Sequence, residues 1–329
     1  MRVIDHLKSL PRATAAVLSA GIAAGLAFVP SAQAEYPERS IEVVVKAGPG
    51  SGANQLGHMV AKLAQEILGQ PMAVVYKKGG SGAIAQAYVQ SRPADGHTIF
   101  LDTTTTAIVL ATGKSDFSED DWQGVIRLQV DPQGVAAAAD APYDTFAELV
   151  DWIKENPGKL RWAGAHAVGT DPYTVARLLK AAGLSNSDIR YVPNEGANEM
   201  VSGLLGGHFD VAILNPAEAA EQVEAGNLKM LGIGHGERLE AYPDWPTFTE
   251  QGFEIEQAIW RGVFVPTGTP DEAVETLRQA LIEMRDIPEY QQFMKDQLQI
   301  DGFMGDAGTF DDYFKGEVKQ MREHFSESS

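Results

Sequence analysis

Two glycine-rich stretches carry the chemistry that is easiest to read in this chain. Gly48-Pro49-Gly50-Ser51-Gly52-Ala53-Asn54 lies between a β-branched run and an amphipathic segment, and Gly79-Gly80-Ser81-Gly82 repeats the arrangement further on. Glycine lets backbone N–H groups approach a ligand closely. A helix start adds unpaired donors and a partial positive charge. Together they make an anion site, although each loop also reads as a plain chain reversal. Later in the sequence Gly169-Thr170-Asp171-Pro172-Tyr173 opens another helix, with Thr170 or Asp171 as its cap and Pro172 in the first turn. It reads either as an ordinary cap or as an opposing jaw that donates N–H and hydroxyl groups. Asn194-Glu195-Gly196-Ala197-Asn198 and Asn215-Pro216 follow strands and so belong to the same edge.

Other chemistries find little support. Gly48-x-Gly50-x-x-Ala53 fits a dinucleotide fingerprint, but the next strand ends at Tyr76-Lys77-Lys78, with no acid for a ribose. No G-x-S-x-G, H-E-x-x-H or P-loop motif occurs, and the seven histidines lack ligand spacing. Only His166 stands near a candidate ligand loop, where it reads either as a ligand contact or as a surface or core histidine. No carboxylate pair stands out for acid–base work. The reading is therefore of a non-enzyme with neither cofactor nor metal. A hydrolase or lyase using a carboxylate such as Asp171 is the rival.

The elements that must position these loops alternate. Ile41–Val45 reads as a strand, and 54–68 as a helix with Leu56, Met59, Val60, Leu63 and Ile67 on one face. Strand 73–76, helix 83–91 and strand 98–101 complete a βαβαβ unit, which implies a mainly parallel sheet with helices on both faces. A second series runs from helix 145–155 through strands 160–163, 189–192, 210–214 and 229–233, with helices 172–182, 198–205 and 218–225 between them. Thr269-Pro270-Asp271-Glu272 resembles a capping box for helix 271–284, and Thr309 stands as the cap of a last helix. The apolar stretches 125–139 and 255–265 serve as crossings between two lobes. The expected fold is an α/β clamshell, each lobe a mixed, mainly parallel sheet flanked by helices. Lobe 1 takes residues 35–130 and 262–329, and lobe 2 takes 131–261. Its cleft lies at the carboxyl ends of strands. A single doubly wound domain is the alternative.

The first 34 residues set the compartment. Arg2, Lys8 and Arg12 precede an apolar run, 15–29, and the triplet Ala32-Gln33-Ala34. That is the pattern of a cleaved secretory signal peptide, 1–34, and the run is short for a membrane span. The absence of cysteine excludes disulfides and a lipid anchor on Cys. The whole chain carries a net charge of −19; the signal segment carries +2, which leaves −21 on the rest. Such acidity opposes binding to nucleic acid or anionic lipid. An anion site must then be built locally, from backbone dipoles or a few cations.

The ordered set of short motifs resembles the Bug-type receptors, the extracytoplasmic solute receptors of tripartite tricarboxylate transporters. It runs through Tyr36-Pro37-Glu38-Arg39-Ser40-Ile41, Lys78-Gly79-Gly80-Ser81-Gly82, Pro93-Ala94-Asp95-Gly96-His97-Thr98, Leu205-Gly206-Gly207-His208-Phe209-Asp210, Pro243-Asp244-Trp245-Pro246-Thr247 and Trp260-Arg261-Gly262-Val263-Phe264. The resemblance spans essentially all of the chain after Ala34. It implies a two-lobed periplasmic-binding-protein fold, and a monomer in the periplasm. Such a protein captures a small organic carboxylate and delivers it to integral membrane transporter subunits; presentation to a sensor kinase is an alternative. The site residues it implies are Gly50, Ser51, Gly52, Ala53, Asn54 and Ser81 on one lobe. On the other they are Gly169, Thr170, Asp171, Tyr173, Asn194 and Asn215. Lys46-Ala47 departs from the family's Pro-Phe, and Asn54 from its common Asp. A neutral Asn54 favours a ligand without an amine. Lys46 is either an added cation, suited to a di- or tricarboxylate or an aromatic carboxylate, or an outward-pointing side chain.

Overall fold

The β-branched run Ile41-Glu42-Val43-Val44-Val45 forms the first strand, β1, with its four apolar residues fully buried. The structure is a computed structural model that describes residues 36–46, 48, 51–165, 167, 169–194, 196–297 and 302–327. The expected signal segment 1–34 and the loop residues Ala47, Gly50 and His166 lie outside the described residues. After β1 comes α1 (Gly52–Leu68), then β2 (Met72–Tyr76), α2 (Ala83–Gln90), β3 (Thr98–Thr103), α3 (Thr105–Ala111) and the long β4 (Trp122–Pro132). A single residue, Gln133, separates β4 from β5 (Gly134–Ala138). The second series holds α4 (Phe146–Glu155), β6 (Leu160–Ala165), α5 (Thr170–Ala181), β7 (Ile189–Asn194), α6 (Ala197–Leu205), β8 (Val211–Leu214), α7 (Pro216–Glu224) and β9 (Leu228–Ile233). The chain then returns through β10 (Ala258–Pro266) and ends in α8 (Asp271–Arg285), α9 (Pro288–Asp296) and α10 (Thr309–Glu327).

Among the described residues, ten strands form two five-stranded sheets, ordered β2-β1-β3-β10-β4 and β7-β6-β8-β5-β9. In the first sheet β1 pairs parallel with β2 and β3, and β10 pairs antiparallel with β3 and β4. Four strands thus run one way and β10 the other. The second sheet has the same plan, with β5 as its opposed strand between β8 and β9. Each opposed strand follows directly on a crossing from the other sheet. The crossings are stitched together by backbone bonds, Gln133 N–H to Gln257 O at 2.9 Å, Gln257 N–H to Gly234 O at 2.9 Å and Gly234 N–H to Gln133 O at 2.8 Å. Gly234 is required there, since a Cβ would stand 2.5 Å from the Gln257 carbonyl oxygen.

Each sheet is covered on both faces. On one side of the first sheet, Leu56, Val60 and Leu63 of α1 join Leu277 and Leu281 of α8. On the other side, Phe310, Phe314 and Val318 of α10 pack with Trp122, Trp260 and Phe264. Each such side chain contributes about 1.5–3 kcal/mol on full burial. The second sheet packs Phe146, Trp162 and Leu178 on one face, and Met200, Leu214 and Trp245 on the other.

Several boundaries move from the sequence expectation for local reasons. The first helix begins at Gly52 rather than Asn54, because the Ser51 side chain caps it by accepting the Asn54 N–H. The fifth helix begins at Thr170, so Gly169 is its N-cap and neither Thr170 nor Asp171 serves as one. The capping box expected at Thr269 does not form. Its hydroxyl donates to Pro266 O, and Pro270 is the N-cap of α8. Thr309 is already helical and donates to Asp306 O. The crossing stretches are themselves strands, and β10 starts at Ala258, within the span expected for the second lobe.

Candidate functional site

The first jaw is built where β1 and β3 end. Ser51 caps α1, and its hydroxyl also donates to Gly48 O at 2.9 Å. This presents the first turn, Gly52, Ala53 and Asn54, with its N–H groups at the positive end of the helix dipole. Ala53 and Asn54 are buried. Against this turn lies a residue from far along the chain, Arg261 of β10. A Cβ on Gly52 would stand 2.7 Å from Arg261 Nη2. Glycine is what lets the guanidinium reach the helix start. Arg261 Nη2 also donates to Asp131 Oδ2 at 3.1 Å, and each of these two side chains is only 10% exposed.

Lys46 supplies a second cation on the same edge. It follows β1, and its Nζ lies 2.6 Å from Asp102 Oδ1 and 3.4 Å from Thr103 Oγ1 on β3. The Asp102 side chain is fully buried and accepts a second hydrogen bond from the Thr106 hydroxyl. Burial holds the Lys46 ammonium below its ordinary pKa, and Asp102 works against that shift. The outward-pointing alternative for Lys46 is therefore overturned. The lysine turns inward and its charge is already matched by Asp102. Thr103 pairs in register with Arg261, so the two cations flank the carboxyl end of β3. The Gly79–Gly82 turn closes over Lys46, since a Cβ on Gly82 would meet the Lys46 stem at 2.9 Å. Ser81 in that turn is exposed and sits at φ 55°, the one non-glycine with positive φ among the described residues.

The second jaw is organised around Asn215 and Asp171. Asn215 caps α7 in a reciprocal capping box with Glu218. Its Nδ2 donates to the carbonyls of Asp131 (3.2 Å) and Pro132 (3.0 Å) at the end of β4. Asp171 accepts from Gln133 Nε2 at 2.8 Å and from Ala165 N–H at 2.6 Å, while Thr174 donates to the other end of the same Gln133 side chain. The carboxylate singled out for a rival hydrolase is thus buried and tied to the crossing. Glu218 is exposed and lines an open pocket of about 460 Å³ with Gly196, Ala197, Asn198 and Glu199. Enclosure by protein pushes its carboxyl up to about 7; the bond from Asn215 N–H pulls the other way, and the charges of Asp131 and Asp171 reinforce the rise.

The structure therefore joins Gly52 to Asn215 through Arg261 and Asp131, and draws Asp171 in through Gln133. Thr170 starts α5 beside this network, with its carbonyl accepting from Thr174. One expected residue is placed elsewhere, and another, Asn194, stands beside Ala165 in the sheet register. Tyr173 is buried among first-sheet residues and stacks edge-on with His324 of α10 at 5.2 Å. Asn194 donates to Val192 O on its own strand. Arg261, Asp131, Gln133 and Glu218 were not expected. An arginine inside an apolar strand, Trp260-Arg261-Gly262-Val263, was the available signal.

A two-lobed α/β fold with helix starts from both lobes meeting at the crossing strands is the architecture of solute-binding receptors. The chain belongs to the tripartite tricarboxylate transporter family receptors (TctC), matching the family over residues 57–327, and it is of the Bug type. It is 30% identical over 283 residues to the UPF0065 protein in the gbd 5′ region of Cupriavidus necator, covering 85% of each chain. A TctC solute-binding protein from Polaromonas superposes with a TM-score of 0.80 at 26% identity, over 89% of this chain and 99% of that one. Two Rhodopseudomonas palustris proteins share the fold. MatC with bound malate gives a TM-score of 0.71 at 21% identity, over 88% of this chain and 99% of that one. A second, with adipate, gives 0.72 at 22%, over 88% and 96%. The family is a class of binding receptors. Among the described residues no helix is long and apolar enough to cross a membrane, and no cluster of His, Asp or Glu could hold a metal.

Proposed function

We propose that this chain is an extracytoplasmic receptor that captures a small di- or tricarboxylate between its lobes and hands it to a tripartite membrane transporter. One observation carries this reading. The first turn of α1 and the first turn of α7 share one floor, linked by Arg261, Asp131 and Asn215. A carboxylate placed there would meet N–H donors at a positive helix end, beside the buried Arg261. Ser51, Gly52, Ala53 and Asn54 would form the first jaw, with Ser81 at its rim. Gly169, Thr170, Asp171 and Asn215 form the second.

The lobes, residues 35–130 with 262–329 and residues 131–261, would close about the stitch at Gln133, Gly234 and Gln257. Closure follows if the ligand binds the closed state better than the open one. The bound malate and adipate of the two fold neighbours support a dicarboxylate. Secretion through the segment 1–34 would place the receptor in the periplasm as a monomer. A thermal-shift screen of succinate, malate, adipate, citrate, terephthalate and glutamate tests the reading. A true ligand at 100 times its Kd adds about 2.7 kcal/mol of stability. A flat response to every acid would overturn it, and preference for glutamate would overturn the role given to Asn54.

A further inference from the structure

The floor of the cleft holds an unusual grouping. Arg261 is nine-tenths buried, lies against Gly52 at the positive end of α1 and is bonded to Asp131. Two like charges therefore converge on one point, the guanidinium and the helix terminus. Asp131 meets the guanidinium with only one oxygen, Oδ2, and its buried Oδ1 has no hydrogen-bond partner. The ion pair is thus one-sided from the carboxylate's side. An anion beside Gly52 would face both positive elements at once. The charged groups around this point are Arg261, Asp131, Asp171 and Glu218, with the Lys46–Asp102 pair at the same end of β3 and Glu199 on the pocket that Glu218 lines.

We propose that Arg261 is the residue that receives the ligand's carboxylate, drawn from Asp131 toward the first turn of α1, and that this capture raises the proton occupancy of Glu218. The inference rests on the receptor reading above. The proton balance is simple. A ligand anion enters within Coulomb reach of Glu218, and Asp131 loses part of its cation. Both changes favour the neutral form of the neighbouring carboxyl, so the proton comes from solvent and stays on Glu218 until release. Glu218 is exposed and borders the pocket with Glu199, and its carboxyl, pushed up to about 7 by the surrounding protein, makes the uptake fractional and measurable. Asp131 and Asp171 already accept hydrogen bonds, Asp131 from Arg261 and Asp171 from Gln133 and the Ala165 N–H. Glu218, facing the cavity, is the carboxyl free to accept the proton.

Titration calorimetry with malate, adipate, succinate and citrate, at pH 7 in buffers of different ionisation enthalpy, reads affinity and protons together. The intact chain should take up a fraction of a proton per acid bound. Arg261→Gln paired with Asp131→Asn, which avoids stranding a buried charge, should weaken binding roughly 10- to 100-fold. Gly52→Ala keeps every charge but forces the guanidinium away, and should weaken binding in the same direction. Glu218→Gln should abolish the proton uptake. Affinity within twofold of the intact chain in both Arg261→Gln/Asp131→Asn and Gly52→Ala would overturn the role of Arg261 while leaving the receptor reading intact. Undiminished uptake in Glu218→Gln would overturn the role of Glu218. If no acid of the panel binds the intact chain, the receptor reading and this inference fall together.

Discussion

The two jaws of the cleft share a backbone plan but differ in charge. Both place helix starts at the carboxyl ends of strands. The first jaw adds two inward cations, Lys46 and Arg261, each matched by a buried carboxylate, Asp102 and Asp131. The second jaw has no Lys or Arg in 165–173, 194–199 or 215–218, and its sequence instead carries Asp171, Glu195, Glu199 and Glu218. In a chain of net charge −19, long-range fields repel anions, so affinity for a carboxylate has to be local. The difference between the jaws indicates where. The first supplies positive charge at the helix start, and the second supplies neutral donors and carboxyls that set the electrostatic cost of an added anion.

The largest effect expected from breaking this asymmetry is on the cation side. Lys46→Met strands the fully buried Asp102 without its counter-charge. Breaking one half of a buried pair costs about 3–5 kcal/mol, to be read as a drop in denaturant midpoint. Adding Asp102→Asn should recover much of that loss, since no buried charge then remains. A cost below ~1 kcal/mol for Lys46→Met would mean that the pair is solvated. The helix caps give the next effect and compare the jaws directly. Ser51→Ala removes an ordinary cap, about 1 kcal/mol. Asn215→Ala removes a cap together with two bonds to the β4 carbonyls, and should cost about 2 kcal/mol or more. Equal losses would show that Asn215 does not hold the crossing.

How much of this was legible in the sequence depends on the range of each interaction. The strand 41–45 and the helix after Ser51 were legible because β-branched residues and the spacing of Leu56, Val60 and Leu63 are local signals. So were the glycine loops and the two-lobed order. The short helix 105–111, Thr-Thr-Ala-Ile-Val-Leu-Ala, was not, because its helicity comes from burial rather than propensity. The crossings read as apolar connectors because β4 and β10 are buried on both faces and lose the alternation of a half-exposed strand. The site was half legible for the same reason. Helix starts at Gly52 and Asn215 announce themselves within a few residues. The Arg261–Asp131 pair spans 130 positions, and Tyr173 was assigned to the ligand because nothing near it in sequence shows that α10 packs over its ring.

A smaller effect sharpens the acidic side. The Glu218 carboxyl is pushed up to about 7 when folded, first by desolvation from the surrounding protein although the residue is exposed, and lies near 4.3 when unfolded. The native state therefore holds its proton more tightly. This contribution to stability is complete below about pH 4 and is lost as pH rises through about 7. Water reaches the carboxyl from the cavity, so the swing is screened to about 1 kcal/mol. Unfolding curves between pH 5 and pH 8 should show Glu218→Gln flattening that slope and standing above the parent at pH 8. A parallel slope in the variant would place the titration elsewhere.

The smallest effect lies at the rim of the first jaw. Ser81 is held at φ 55° between glycines at φ 57° and φ 110°. That conformation costs an L-residue about 1–2 kcal/mol, and its one nearby role is to let Gly82 close over the Lys46 stem. Ser81→Gly relieves the strain but gives an unfolded chain more freedom to lose, so the net gain should be about 0.5 kcal/mol. If the hydroxyl is a ligand donor at the rim, the same variant should bind its carboxylate several-fold more weakly while being slightly more stable. Stability and affinity moving in opposite directions would separate a ligand contact from a loop that is only tightly turned. A gain in stability with unchanged affinity would remove Ser81 from the site.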